Sequence, residues 1–173
     1  MPPTKRSNNS KKILIGCITL LLILVAVFSF LNRSPDKLQE GQLLIKAGDN
    51  RLARLTVADL RKLPAVEKKT IINSSRGKSE HIFTCTELAL ILQNIDPQLS
   101  TEYRRVTTRG IDNYTSALAM KEVLQPGNVF IAYADGGKPL KTKTGQDGSL
   151  QIIVTSDEFG QRCTNYLVSI ELE

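Results

Sequence analysis

The hydrophobic pattern along this chain changes once, early and completely. From Ile13 to Leu31 (ILIGCITLLLILVAVFSFL) nineteen uncharged residues follow one another almost without a polar break. Coiled as a helix at 1.5 Å per residue they span roughly 28 Å, close to the ~30 Å hydrocarbon core of a bilayer. A helix also satisfies its own backbone hydrogen bonds in lipid. A cleavable signal peptide has a shorter apolar core, about 7–15 residues, closed by a small-x-small cleavage site. This run is longer and ends in Phe28-Ser29-Phe30-Leu31-Asn32. The pattern predicts an uncleaved transmembrane signal anchor over residues 13–31. Leu14-Ile15-Gly16-Cys17 imitates a lipobox, but the apolar stretch follows the cysteine instead of preceding it, so cutting there would discard almost no membrane segment.

Beyond the anchor the pattern becomes mixed. Residues 32–41 are short and polar, include Pro35, and read as a tether. Residues 42–173 carry no repeat, low-complexity tract or second linker, and are long enough for one domain with a real core. Leu43-Leu44-Ile45-Lys46-Ala47 and Leu52 to Leu55 predict strands around a Gly48-Asp49-Asn50 turn. Thr56 starts a helical turn, with Asp59 three residues on as its capping partner and Pro64 to stop it. Thr70-Ile71-Ile72-Asn73 and His81-Ile82-Phe83 predict a hairpin or loop between them, and Thr86 to Asn94 has helical spacing. Residues 103–109, 114–118, 129–133, 150–155 and 166–172 are β-rich, with strong turns at Asp135-Gly136-Gly137-Lys138-Pro139 and Gln146-Asp147-Gly148. Many strands with only short helices predict an α+β fold with mixed or mainly antiparallel sheets, not a doubly wound sheet.

Charge decides orientation rather than partners. The formal net charge is +6, but residues 1–35 hold five Lys or Arg and no acid, whereas residues 36–173 hold eighteen against seventeen acids. Lys5, Arg6, Lys11 and Lys12 precede the anchor and only Arg33 closely follows it. Positive flanks stay in the cytoplasm, which predicts a cytoplasmic basic segment at 1–12 and an extracytoplasmic domain at 42–173 on a single-pass anchor suited to a bacterial cell membrane. An exported domain near neutrality with no basic run is no nucleic-acid binder.

The domain resembles the small molybdopterin-oxidoreductase-like family, with the sulfite-oxidase catalytic-domain fold. LTVADLRKLP (55–64) resembles the opening strand with its D-L and L-P pairs. IFTCTELALIL (82–92) resembles the aromatic-x-G-V-P-L-x-x-L-L segment. GIDNYTSALAMKEVL (110–124), IAYADGGKPL (131–140) and residues 147–172 resemble the D-G-Y strand, the G-x-P-L turn and the closing strands. The resemblance implies a molybdopterin whose metal is held by a cysteine thiolate. The matching segment, TIINSSRG (70–77), has no cysteine, and Cys85 falls where the family has glycine. Without a soft sulfur ligand the metal's coordination is incomplete. The expectation is therefore the fold without the metal: no resident cofactor, and a ligand-binding or protein-interaction module for a small anion or an envelope protein. A reduced molybdopterin-dependent oxidoreductase, or a subunit of an envelope redox complex, is the alternative.

Candidate side chains are few. Tyr103, Arg105, Thr107 and Arg109 share one strand face leading to Asp112-Asn113-Tyr114. Guanidinium forks suit carboxylate, phosphate or sulfate, which makes Arg105, Arg109, Asp112 and Tyr114 a candidate anion site against the alternative of a solvated, acid-paired face. His81 and Cys85 suggest a nucleophile pair, but on a strand they stand about 13 Å apart. Export permits a Cys85–Cys163 disulfide, with two free buried thiols as the alternative. One His and two separated Cys in the exported part give no metal-ligand spacing. Lys138, Lys141 and Lys143 among glycines imitate a phosphate loop, but no GKS/T motif or helix follows. No acid is nominated for general acid–base work.

Overall fold

A computed structural model describes residues 7–31, 38–74 and 77–173. The chain divides into two units, Met1–Lys37 and Leu38–Glu173. In the first, helix α1 (Ser7–Leu31) contains a stretch, Lys11–Ser29, long and apolar enough to cross a membrane, and the side chains of that stretch are exposed. Of the expected basic segment and tether, residues 1–6 and 32–37 lie outside the described residues.

The second unit opens with a hairpin, β1 (Gln42–Ala47) and β2 (Asn50–Thr56). Thr56 then caps α2 (Val57–Leu60). Its hydroxyl accepts from the Asp59 amide at 3.3 Å, and the Asp59 carboxylate accepts from the Thr56 amide at 3.1 Å, the reciprocal arrangement the sequence predicts. Strands β3 (Val66–Ser74) and β4 (Gly77–Glu87) are antiparallel. They are followed by α3 (Leu88–Ile95), α4 (Leu99–Glu102), β5 (Arg105–Gly110) and β6 (Thr115–Ala119). Helix α5 (Met120–Val123), β7 (Val129–Asp135), the short β8 (Lys138–Pro139), β9 (Gln151–Val154) and β10 (Leu167–Leu172) complete the unit.

Two sheets result. One runs β2-β1-β10-β5-β6, with β1 and β10 parallel and the other pairs antiparallel; the other runs β3-β4-β7-β8, with β9 also on β7. This is the mixed α+β architecture expected. Helix α3 begins two residues later than its apolar spacing predicts, because Thr86 and Glu87 are held in β4 by pairing with Ile131 and Phe130 of β7. Ladder bonds to a neighbouring strand outweigh a weak local helix preference.

The main core gathers side chains from both sheets and from α3: Leu43 and Ile45, Leu88, Ile91 and Leu92, Val129 and Ile131, Ile170 and Leu172. Strand β7 alternates between this core and a second one. Phe130 and Ala132 turn to the other face of their sheet and pack with Phe83, Cys85 and Ile153. Gly136 and Gly137 both take positive φ (54° and 75°), which lets β7 reverse into β8 in a two-residue turn. At Gly110 the constraint is space, since a Cβ there would lie 2.6 Å from the Asn165 carbonyl oxygen. That close approach seats the segment leading into β10.

Candidate functional site

The second core is the floor of the candidate site. Partly buried Ile72 and Leu140 pack against it, and together with Phe83 they line a cavity of about 470 Å³. On the opposite side the segment between β9 and β10 supplies Gly160, Gln161, Cys163 and Asn165, and β9 supplies Gln151. Among the described residues the side-chain amides of Gln151, Gln161 and Asn165 have no hydrogen-bond partner, so their donors and acceptors are available to a ligand.

The period of two along β4 places Ser79, His81 and Phe83 on one face. Cross-strand register brings Ile72 opposite Ser79, Thr70 opposite His81 and Asp135 opposite Phe83. His81 is fixed on three sides. Its Nδ1 lies 2.6 Å from Asp135 Oδ2, its Nε2 lies 2.8 Å from Ser79 Oγ, and its ring stacks on Phe83 at 5.0 Å and 13°. The second carboxylate oxygen of Asp135 accepts from the Ile82 amide at 3.1 Å, and the Gly136 amide donates to the Ile82 carbonyl at 2.9 Å. A carboxylate only accepts, so Nδ1 carries a proton. In the neutral imidazole Nε2 then accepts from the Ser79 hydroxyl. Both His81 and Asp135 line the cavity, and Ser79 is exposed beside them.

Sequence reasoning missed this chain of contacts. It weighed His81 only against Cys85 and read Asp135 only as a turn residue. The available signal was the Ser79-x-His81 spacing, which puts both side chains on the same side of a strand.

Both cysteines of the domain are free thiols, so the Cys85–Cys163 bridge allowed by the sequence is not formed. Cys85 is buried in the second core, its thiol 3.5 Å from the Val66 carbonyl, and burial pushes its pKa up to about 11. Burial also raises the Cys163 thiol. His81 and Cys85 share the extended strand β4, as expected of a pair too far apart to react.

Arg105 and Arg109 do share the exposed face of β5, with Val106 and Thr108 buried between them. Arg105 lies 3.9 Å from Glu173, and Arg109 donates to the Asn113 side chain at 2.6 Å. The Asp112 carboxylate accepts from the Tyr114 amide at 3.1 Å, while the Tyr114 hydroxyl donates to the Gln161 carbonyl. Tyr114 thus props the segment lining the cavity, and neither arginine lines it. Exposed ion pairs contribute about 0–1 kcal/mol. The double substitution Arg105→Ala/Arg109→Ala should accordingly leave the melting temperature nearly unchanged by circular dichroism, and a collapse of folding would make the pair structural.

No family model matches this chain, and no curated protein matches it. Among solved structures it is similar to the sulfane dehydrogenase SoxCD from Paracoccus pantotrophus, with a TM-score of 0.61 at 12% identity. The match covers 79% of this chain and 39% of that one, so the chain spans about two-fifths of its relative's length. At that identity the likeness carries the fold and no more. It agrees with the sulfite-oxidase-type α+β architecture that the sequence resemblance implied.

Proposed function

We propose that this chain is a single-pass, membrane-tethered domain of the cell envelope whose molybdoenzyme-type fold serves a small-ligand site other than molybdopterin. The basic residues ahead of the apolar run Ile13–Leu31 support a cytoplasmic N-terminus and an extracytoplasmic domain. The observation that carries the ligand reading is the chemistry around the 470 Å³ cavity. Ile72, from the segment that resembles the metal-binding stretch, lines it with an aliphatic side chain, and residues 70–77 offer no sulfur. Residues 75–76 of that segment lie outside the described residues.

The donor set does not fit the cofactor. The one thiol on the cavity wall, Cys163, has its pKa raised by burial and lies in the segment between β9 and β10, not in residues 70–77 where the resemblance places the metal's ligand. Among the described lining residues there is no Lys or Arg to meet a pterin phosphate, and Asp135 would repel one. Nor does any group of three or more His, Cys, Asp or Glu side chains converge among the described residues. Free amides, a stacked His81–Phe83 pair and an apolar floor suit a small, uncharged polar ligand.

Elemental analysis of the purified full-length chain tests the reading. We expect no stoichiometric molybdenum. One molybdenum per chain would overturn it in favour of a reduced oxidoreductase.

A further inference from the structure

We propose that Ser79, His81 and Asp135 form a nucleophilic serine site that cleaves small, uncharged carboxylic esters at the edge of the cavity. The proposal rests on the reading of that cavity as an open ligand site, and goes beyond it by assigning a reaction.

Serine hydrolysis needs a hydroxyl hydrogen-bonded to a base, and a third group that orients the base. All three are present. Ser79 Oγ is 2.8 Å from His81 Nε2, and His81 Nδ1 is 2.6 Å from Asp135. Asp135 is itself anchored by the Ile82 amide, and the imidazole is stacked on Phe83, so the ring is fixed in orientation rather than free to rotate. The relay links two strands through residues 54 positions apart, at a point where the fold also opens a cavity. A surface histidine that merely fills hydrogen bonds needs neither an exposed hydroxyl on its far nitrogen nor a cavity beside it.

The cavity wall indicates the substrate class. Its partnerless amides, from Gln151, Gln161 and Asn165, can donate to an acyl oxygen. Ile72, Phe83 and Leu140 suit a short apolar acyl or alkyl group. Asp135, unaccompanied by Lys or Arg among the described lining residues, disfavours an anion.

The step balances without a co-reactant beyond water. Ser79 Oγ bonds to the acyl carbon while its proton passes to His81 Nε2. The tetrahedral adduct then breaks the ester C–O bond, and the leaving oxygen takes that proton away as the alcohol. Water, giving a proton to His81, attacks the acyl-serine. The acid leaves as Ser79 recovers its proton. Ser79 and His81 are the catalytic residues, and Asp135 is a positioning residue acting through His81.

An alkyl fluorophosphonate, which phosphonylates an activated serine with loss of fluoride, is the probe. Applied to the full-length chain in detergent, it should add one phosphonyl group, mapped to Ser79 by peptide mass spectrometry. Ser79→Ala should take up none, and His81→Gln should react at least ~100-fold more slowly. Asp135→Asn should alter the pH profile of labelling, which a purely structural change would not. Since Ser79 is exposed, Ser79→Ala keeps the comparison valid even if His81→Gln misfolds. Equal uptake by wild type and Ser79→Ala, or undiminished labelling in a folded His81→Gln, would overturn the proposal. Failure to label in a chain free of molybdenum removes the serine site alone; failure alongside stoichiometric molybdenum removes the cavity reading with it.

Discussion

Phe130→Ala should be the most damaging single truncation in the second core, costing about 3–5 kcal/mol. Phe130 is 1% exposed and is packed with Phe83, Cys85, Ala132 and Ile153 beneath the cavity, and the Lys68 ammonium sits 5.1 Å from its ring centroid. Truncation removes the ring's burial, leaves a void in a small cluster and strips Lys68 of its cation–π partner. Against a total stability of about 5–15 kcal/mol this is a large share. It should lower the melting temperature by roughly 10 °C or more. The effect should reach the site as well, because Phe83 both belongs to this cluster and stacks under His81. Thermal unfolding by circular dichroism is the measurement. A loss below about 1 kcal/mol would mean that the far face of β7 holds no true core.

That face illustrates what the sequence can and cannot say. Val129 to Ala134 is a continuous apolar run, and such a run is legible as a strand. The second face of β7 is packed by Phe83, Cys85 and Ile153, and the β9–β10 segment that lines the cavity through Gly160 and Gln161 has no hydrophobic period over Ser156-Asp157-Glu158-Phe159-Gly160-Gln161 to announce its place. The Thr56–Asp59 cap, the Gly136-Gly137 turn and nearly every strand were legible because each depends on residues within a few positions. The sulfite-oxidase-type architecture was legible from the order of five short motifs, although each is weak alone. The site was not, because its partners are distant in sequence. Asp135 meets His81 only after β4 and β7 pair, and Cys163 reaches the cavity only once β10 has closed the first sheet. The arginines drew attention because guanidinium is conspicuous in a sequence, yet alternation on β5 turns Arg105 and Arg109 to solvent.

Arg162 is the arginine whose loss should matter. Its guanidinium donates to the Asp157 carboxylate through Nε at 2.9 Å and through Nη2, and to Glu122 through Nη1 at 2.9 Å. The Asp157 side chain is only 12% exposed, so removing its partner leaves a largely desolvated charge. Arg162→Met keeps the aliphatic stem and removes the charge, and should cost about 2–3 kcal/mol, below a fully buried pair because Arg162 itself is about one-third exposed.

The cost should depend on pH. The Ala119 amide and, after it, the Arg162 guanidinium hold the Glu122 carboxyl below its ordinary value of 4.5, against the opposing effect of burial. A carboxyl depressed on folding contributes stability that is present above its unfolded value and lost as pH falls through the folded one. The gap between wild type and Arg162→Met should therefore be full at neutral pH and narrow as the solution is taken below 4.5, because the share that Arg162 gives through Glu122 is lost as that carboxyl protonates, while the Ala119 amide acts on both chains alike.

Urea unfolding of both chains at neutral and acid pH reads this directly, and a gap constant across that range would remove Glu122 from the account. The same substitution should loosen the cavity wall. Arg162 ties the segment carrying Gly160, Gln161 and Cys163 to α5, so its loss should speed alkylation of the otherwise sheltered Cys163 thiol while leaving Cys85, in the second core, unreactive.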